Sequence, residues 1–142
     1  MPKQIAISDR TVFLDINGVR AARGCSADKV NALVDSGDLL WVFDLGKRRG
    51  KKHLRELRFW CPEIVEAGQV AKLDLADVIL RILPIGRQSF NGSELCQWFL
   101  ISRATVKRIG REIGGTVKNG LLYVQREPLA DFLRRRWIGG QE

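Results

Sequence analysis

The chain has 142 residues, of which 45% are apolar, and 24 Lys and Arg against 16 Asp and Glu give it a net charge of +8 and a pI near 9.9. That apolar content can bury one ordinary core or two very small ones, which excludes an intrinsically disordered chain. The longest apolar-rich windows, 39–43 and 78–83, are far too short to cross a bilayer, and the N-terminus lacks the apolar run of a signal peptide. We therefore expect a cytoplasmic protein with no membrane segment, and the positive charge favours a polyanionic partner.

The cysteine pattern argues against a metal site and against a disulfide framework. Cys25, Cys61 and Cys96 lie more than thirty residues apart, and His53 is the only histidine. No pair has the close spacing of zinc ligands, and an odd number of thiols is typical of a reducing compartment. We expect small, buried, apolar thiols and neither a metal nor a cofactor.

The first half of the chain predicts a strand and two short helices. A β-prone stretch covers 11–16, and Asn17 is predicted to cap a helix that ends at Gly24. Ser26 is predicted to cap a second helix, which stops at Gly37.

A basic hairpin and a further helix are predicted next. Strand formers fill 39–45, with the odd-numbered residues from Trp41 on one face, and a glycine-punctuated basic loop at 46–52 leads to a return strand at 53–59. The segment 47–58 contains seven basic residues and one acidic residue. After the return strand, Pro62 opens another helical pattern.

The second half begins with a leading helix. Asp74 is predicted to cap a helix over 75–83, which Pro84 terminates, and apolar residues at helical spacing form one stripe along it. Two more helices are predicted at 93–99 and 102–113.

A hairpin and a final helix complete the second half. Asn119-Gly120 lies between β-formers in 116–124, and this dipeptide is the strongest short signal for a hairpin turn. Pro128 is predicted to open a last helix that runs to about Ile138.

The two halves resemble divergent copies of one unit. Residues 1–72 and residues 73–142 each carry a net charge of +4. The Asn-Gly pairs that start at Asn17 and Asn91 lie 74 residues apart, Ser26 and Ser102 lie 76 apart, and the helix-opening prolines lie 66 apart. The pattern predicts an internal repeat whose copies differ mainly in the basic loop of the first.

Each half thus reads as helix, tight turn, helix, basic hairpin, helix. Two short helices that cross through a tight turn form a rigid pair, and the second can lie in a major groove about 12 Å wide. A hairpin beyond it can place Lys and Arg along the phosphates.

At this point the sequence resembles winged helix-turn-helix proteins of the mercury-regulator (MerR) and phage excisionase type. In the first half, residues 19–39 (VRAARGCSADKVNALVDSGDL) are similar to that family's turn, Val-x-x-Leu recognition helix and closing Gly-x-Leu. In the second half, residues 101–109 (ISRATVKRI) are similar to its Val-Ser-x-x-Thr-Val-x-Arg-Ile helix, although Leu100 stands where the family has a turn glycine. The matches cover about two thirds of the chain.

The resemblance implies an α+β fold of two small, mostly helical, winged helix-turn-helix units, each with a short β-hairpin wing. The units are expected at 1–68 and 69–142, the second with the leading helix. The candidate DNA-binding residues are Lys29, Asn31, Lys47, Arg48, Arg49, Lys51, Lys52, Arg55, Arg103, Thr105, Lys107, Arg108, Arg111 and Lys118. Since the first recognition helix is not notably basic, its wing is the expected contact there. In the second unit, Arg103, Lys107 and Arg108 are expected on one exposed face.

Several features allow other interpretations. The four tryptophans could be a stacking platform for single strands, but with Leu, Phe and Val beside them they are predicted to be core. Arg134, Arg135 and Arg136 could contact DNA or simply favour the negative end of the last helix. No phosphate-binding loop, zinc-protease motif or nucleophile elbow is present in the sequence, so a non-catalytic protein is expected.

The sequence therefore predicts a double-stranded DNA-binding protein, either a transcriptional regulator or an excisionase-like recombination accessory factor of a phage, plasmid or other mobile element. It would act at the nucleoid, as a possible homodimer or beside a recombinase or transcription partner. Two alternatives stay open: an assembly, packaging or replication adaptor that uses its helix-turn-helix units for protein contacts, and an RNA- or single-strand-binding protein.

Overall fold

A computed structural model describes residues 12–46, 48–49, 52–53, 56–65 and 73–139. Within these residues the fold is α+β, with short helices packed on small antiparallel sheets. The expected α+β class is therefore confirmed.

The first half alternates short strands with short helices. The elements are β1 (Phe13–Leu14), α1 (Ile16–Arg23), α2 (Ala27–Ser36), β2 (Val42–Asp44), β3 (Arg48–Arg49), β4 (Lys52–His53), β5 (Leu57–Trp60) and α3 (Cys61–Val65). The predicted strands and helices of this half have counterparts here, and β2 pairs with β5 in the predicted antiparallel hairpin. The predicted loop over 46–52 is wrong in part, because β3 and β4 pair within it and extend the hairpin.

Helix capping in the first half agrees with the prediction at α2 and differs from it at α1. Ser26 caps α2 as predicted, because its hydroxyl accepts a hydrogen bond from the Lys29 N–H, and Gly37 ends that helix. The prediction for Asn17 is wrong. Asp15 caps α1 and accepts from the Gly18 N–H at 2.8 Å, so α1 begins one residue before Asn17.

The second half repeats the order of the first behind a leading helix. Its elements are α4 (Leu75–Ile82), β6 (Ser89–Asn91), α5 (Gly92–Phe99), α6 (Arg103–Glu112), β7 (Thr116–Lys118), β8 (Leu121–Gln125) and α7 (Arg126–Arg136). The capping box of Asp74 with Asp77 starts α4 as predicted. Pro128, however, is not the opening residue of α7, which begins two residues earlier, and the proline sits in the first turn, where its missing N–H costs nothing.

The internal repeat is clearest in sheet topology and register. In the three-stranded sheet of each half, the strand that comes last in the chain lies in the centre and pairs with the other two, giving the orders β1-β5-β2 and β6-β8-β7. Both helix pairs start 76 residues apart, from Asp15 to Asn91 and from Ser26 to Ser102. The predicted drift in register between the first and second helices is therefore wrong, since Asn91 corresponds to Asp15 and not to Asn17.

The tight turn has the same backbone in both copies. Gly24 (φ 63°, ψ 42°) and Leu100 (φ 54°, ψ 51°) both occupy the left-handed region and end their helices. The following amides also match, because Cys25 N–H bonds to Arg20 and Ile101 N–H bonds to Cys96, each five residues back. Leu100 thus takes the glycine conformation at a steric cost of about 1 kcal/mol, and the turn geometry is kept without the glycine.

The two halves share one hydrophobic core. Phe13, Trp41 and Phe43 of the first half belong to the same buried cluster as Phe90 and Phe99 of the second. The rings of Phe13 and Phe99 lie 4.9 Å apart between centroids. A smaller cluster lies under α1 and α2 in the first half. The halves therefore pack against each other through apolar side chains, which favours one cooperative unfolding transition.

Tryptophan side chains contribute to this core, as predicted. Trp41, Trp60 and Trp98 are buried. Trp137 is half-buried, stacks on Trp41 at 5.2 Å and donates to the Leu40 carbonyl. None of the four is placed as an exposed stacking surface. The three cysteines form no disulfide and are only partly buried, so the expectation of buried cysteines is met in part.

A buried carboxylate, Glu63, ties α3 to the strand region of β2. Its two oxygens accept from the Leu40 and Trp41 N–H groups, each at 2.8 Å. Burial raises the pKa of Glu63 above its ordinary value, and the two backbone donors and Arg23 only partly oppose that effect.

Replacing Glu63 with Gln is expected to lower the free energy of unfolding at pH 7 by about 1–3 kcal/mol, because an amide NH₂ would face a buried N–H donor. The raised pKa means that the folded state binds the Glu63 proton more tightly than the unfolded state. The advantage of the wild type over Glu63→Gln should therefore be largest below pH 4.5 and shrink as the pH rises through the folded pKa. Urea unfolding of both proteins at pH 4 and pH 7 measures this. An advantage that grows with pH would contradict it.

Candidate nucleic-acid interface

Helix α6 is held in place by a serine cap and by close packing on its own sheet. The Ser102 hydroxyl accepts from the Thr105 N–H at 3.1 Å. Val106, Ile109 and Gly110 form the buried face of the helix. A Cβ added at Gly110 would lie 2.7 Å from a methyl carbon of Leu122, so a larger residue there would force the Leu122 side chain to shift. The outward face of α6 is therefore fixed by the packing behind it.

That outward face carries a row of cations. Arg103, Lys107 and Arg111 are exposed and lie four residues apart along the helix, which places them on one side of it. Within the described part of the chain, none of the three has a hydrogen-bond or ion-pair partner. Glu112 is the only acid on this helix, and it is engaged elsewhere. Two residues of the predicted cationic face, Arg103 and Lys107, thus share a side of the helix with Arg111, and we call these three residues the α6 basic face.

Arg108 does not belong to the α6 basic face, which corrects the expectation that it shares a face with Arg103 and Lys107. Its guanidinium is half-buried and donates to the Leu45 carbonyl at 2.8 Å. The physical reason is its helix position, which turns it toward the first half of the molecule. Thr105 is also half-buried, and its hydroxyl bonds to Ser102 as part of the cap.

The hairpin of β7 and β8 flanks the α6 basic face on one side. Asn119 and Gly120 form its turn with positive φ angles, as the sequence predicted, and Lys118 is exposed beside them. A groove of about 580 Å³ runs between this hairpin, α6 and the start of α5. Its lining residues are Gly92, Ser93, Cys96, Gln97, Arg103, Val106, Lys107, Gly120, Leu121 and Leu122.

The groove combines two sources of positive potential. Arg103 and Lys107 line it, and it includes the first residues of α5, where helix amides carry partial positive charge. Burial raises the pKa of the Cys96 thiol, so the groove holds a neutral thiol and not an anion. Such a surface attracts phosphate. The predicted DNA-binding residues did not include the start of α5, although Asn91 is a residue type that favours a helix N-cap.

An ion pair braces the start of α5. The Arg87 guanidinium bonds to both carboxylate oxygens of Glu94 and thereby lowers the pKa of that carboxyl. Glu94 also forms a capping box with Asn91. The Glu94 carboxylate is half-buried, and both of its oxygens are engaged by Arg87 and the helix cap.

Helix α2, the counterpart of α6, has a different surface. The positions that match Arg103, Lys107 and Arg111 are Ala27, Asn31 and Asp35. Lys29 is exposed and Asn31 is half-buried, so both predicted contacts remain near the surface. Exposed acidic residues also lie on or beside this helix, namely Asp28, Asp35 and Asp38.

The first hairpin is described only in part. The paired backbone of Arg48, Arg49 and Lys52 continues the hairpin beyond β2 and β5. Three other predicted contacts, Lys47, Lys51 and Arg55, lie outside the described residues.

The arginine cluster at the end of α7 makes protein contacts. Arg134 pairs with Asp131, and the Arg135 Nε donates to the Asp131 carbonyl. Arg136 donates to the Gly46 carbonyl at 2.7 Å and pairs with Glu112. Arg136 therefore has a role that neither interpretation of the cluster included, because it joins the two halves.

No family model, no curated protein and no solved structure matches this chain. Among the described residues, no group of three His, Cys, Asp or Glu side chains is placed to hold a metal ion. The helices in that part of the chain are all too short or too polar to span a membrane.

Proposed function

We propose that this protein binds double-stranded DNA as a pair of winged helix-turn-helix units, with α6 as the main recognition helix. The observation that carries the proposal is the α6 basic face, three exposed cations that have no partner among the described residues, on a helix that Ser102 caps and that packs closely on β8 at Gly110. A helix of this kind fits a major groove about 12 Å wide. The shared order of strand, helix, turn, helix and hairpin in both halves supports the winged helix-turn-helix assignment.

Within this proposal the contacts divide by chemistry. Arg103, Lys107 and Arg111 would contact guanine edges or phosphates, since Arg and Lys serve both purposes. Lys118 on the hairpin and the amides at the start of α5 would contact the backbone on either side. Phosphate contacts position the protein, and base contacts give it sequence preference.

The biological role we propose is that of a non-catalytic regulator or an excisionase-like recombination accessory factor of a mobile element. Proteins of this kind act by bending DNA or by placing partners on it. Single-strand binding through stacked tryptophans is less well supported, because three of the four tryptophans are buried.

Fluorescence anisotropy with a random 30-base-pair duplex tests the proposal. If about 6–10 phosphates are contacted, affinity is expected to fall by about 10³–10⁵ between 50 and 200 mM salt. A single-stranded oligonucleotide of equal length serves as the control and is expected to bind more weakly. Absence of duplex binding at low salt, or stronger binding to the single strand, would refute the proposal.

A further inference from the structure

The α6 basic face is bordered on its other flank by the first half of the molecule. Arg103 and Lys107 lie toward the β7–β8 hairpin, since both line the groove beside it. On the opposite flank, Arg108 bonds to Leu45 and Glu112 pairs with Arg136. Leu45 directly follows β2, so the end of the strand that leads into the first hairpin is hydrogen-bonded to α6.

Arg136 also links the end of this strand to α6. Its guanidinium donates to the Asp44 carbonyl at 3.4 Å and to the Gly46 carbonyl at 2.7 Å, while it also pairs with Glu112. The side chain of Arg136 is only 13% exposed, so solvent competes little with these bonds. One arginine therefore joins the base of the first hairpin, α6 and α7.

The first hairpin must then begin close to α6. Arg48 follows Leu45 by three residues, so its backbone lies within about 10 Å of a residue that is bonded to α6. Arg48, Arg49 and Lys52 add three positive charges to this hairpin. By contrast, α2 has Ala27, Asn31 and Asp35 where α6 has its cations.

We infer that the two halves form one DNA-contacting head, in which α6 lies between its own hairpin and the hairpin of the first half, and α2 does not contact DNA. The inference rests on the proposed function. In this arrangement a single recognition helix with two wings contacts one groove, and the two units do not lie on neighbouring grooves. Arg108 and Arg136 are positioning residues in this arrangement.

Matched substitutions at equivalent positions test the inference. Lys107→Ala and Asn31→Ala change corresponding residues of α6 and α2, and the triple variant Arg48→Gln, Arg49→Gln, Lys52→Gln removes charge from the first hairpin. With the 30-base-pair duplex, Lys107→Ala and the triple variant are each expected to weaken binding about tenfold or more, and Asn31→Ala less than twofold. The triple variant should also make the salt dependence shallower by about two to three phosphate contacts.

A duplex-length series gives an independent readout of the number of heads. One head needs a single groove, so a 14-base-pair duplex is expected to keep nearly full affinity. Two heads on neighbouring grooves need centres about 10 base pairs apart and hence about 20 base pairs or more. Equal losses for Lys107→Ala and Asn31→Ala, no loss for the triple variant, or a requirement for the longer duplex would overturn the inference while leaving DNA binding intact. Failure of the unaltered protein to bind any duplex would instead refute the proposed function itself.

Discussion

Replacing Arg103, Lys107 and Arg111 with glutamine is expected to weaken duplex binding by about a hundredfold or more. Each contact of this type contributes about 1–3 kcal/mol if it reads a base, and each lost phosphate contact lowers the salt slope by about one. The three side chains are exposed and have no partner among the described residues, so their loss should leave the fold intact.

A matched control separates position from net charge. The variant Arg20→Gln, Arg23→Gln, Arg135→Gln also removes three exposed positive charges, but none of them is on α6 or on either hairpin. It is expected to reduce affinity by less than about tenfold, through long-range electrostatics alone. Anisotropy at two salt concentrations, with circular dichroism to check folding, measures both variants. Equal losses in the two variants would show that net charge, and not the α6 basic face, determines binding.

Replacing Arg58 with Met is expected to lower the free energy of unfolding by about 2–4 kcal/mol. Arg58 is nearly buried on β5 and donates to the Phe99 and Leu100 carbonyls at 2.8 and 2.6 Å, as well as to Leu57. Phe99 and Leu100 end α5, where helix carbonyls lack partners and favour a positive charge. Methionine keeps most of the side-chain volume but leaves those carbonyls unpaired, at about 1–3 kcal/mol for each buried group.

Chemical denaturation in which the unfolding of each half is followed separately distinguishes the possible roles of Arg58. Since the halves share a core, a single transition is expected in the wild type and in Arg58→Met. Arg58→Lys, which can satisfy one carbonyl, should fall between them. A loss below about 0.5 kcal/mol would show that water replaces Arg58 at the end of α5. Two separate transitions in the variant would mean that Arg58, and not the shared core, couples the halves.

Local signals in the sequence predicted the elements well because they act over three or four residues. A cap serine needs only an N–H three positions ahead, as at Ser26 and Ser102. Asn119-Gly120 supplies its own positive φ angles. The start of α1 is the exception to this rule. Asp15 and Asn17 lie two residues apart and either could cap a helix, but the helix that buries Val19 is capped by Asp15.

Long-range packing decided the features that local patterns could not specify. Arg103 and Arg108 look equivalent in the sequence, yet one is exposed and the other bonds to a carbonyl 63 residues away in the chain. Arg136 likewise appeared as part of a basic cluster, but it joins the two halves. Their roles depend on which backbone carbonyls the core brings near.

The sequence by itself determined the α+β class, the duplicated order of elements, the basic hairpins and the cationic second helix, because composition, caps and turns are properties of short segments. Only the tertiary structure decided that the halves share one core, that Arg108 and Arg136 face inward, and that the first hairpin starts beside α6. The physical reason is that burial and hydrogen-bond satisfaction are set by neighbours distant in the chain, whose positions exist only once the core has packed.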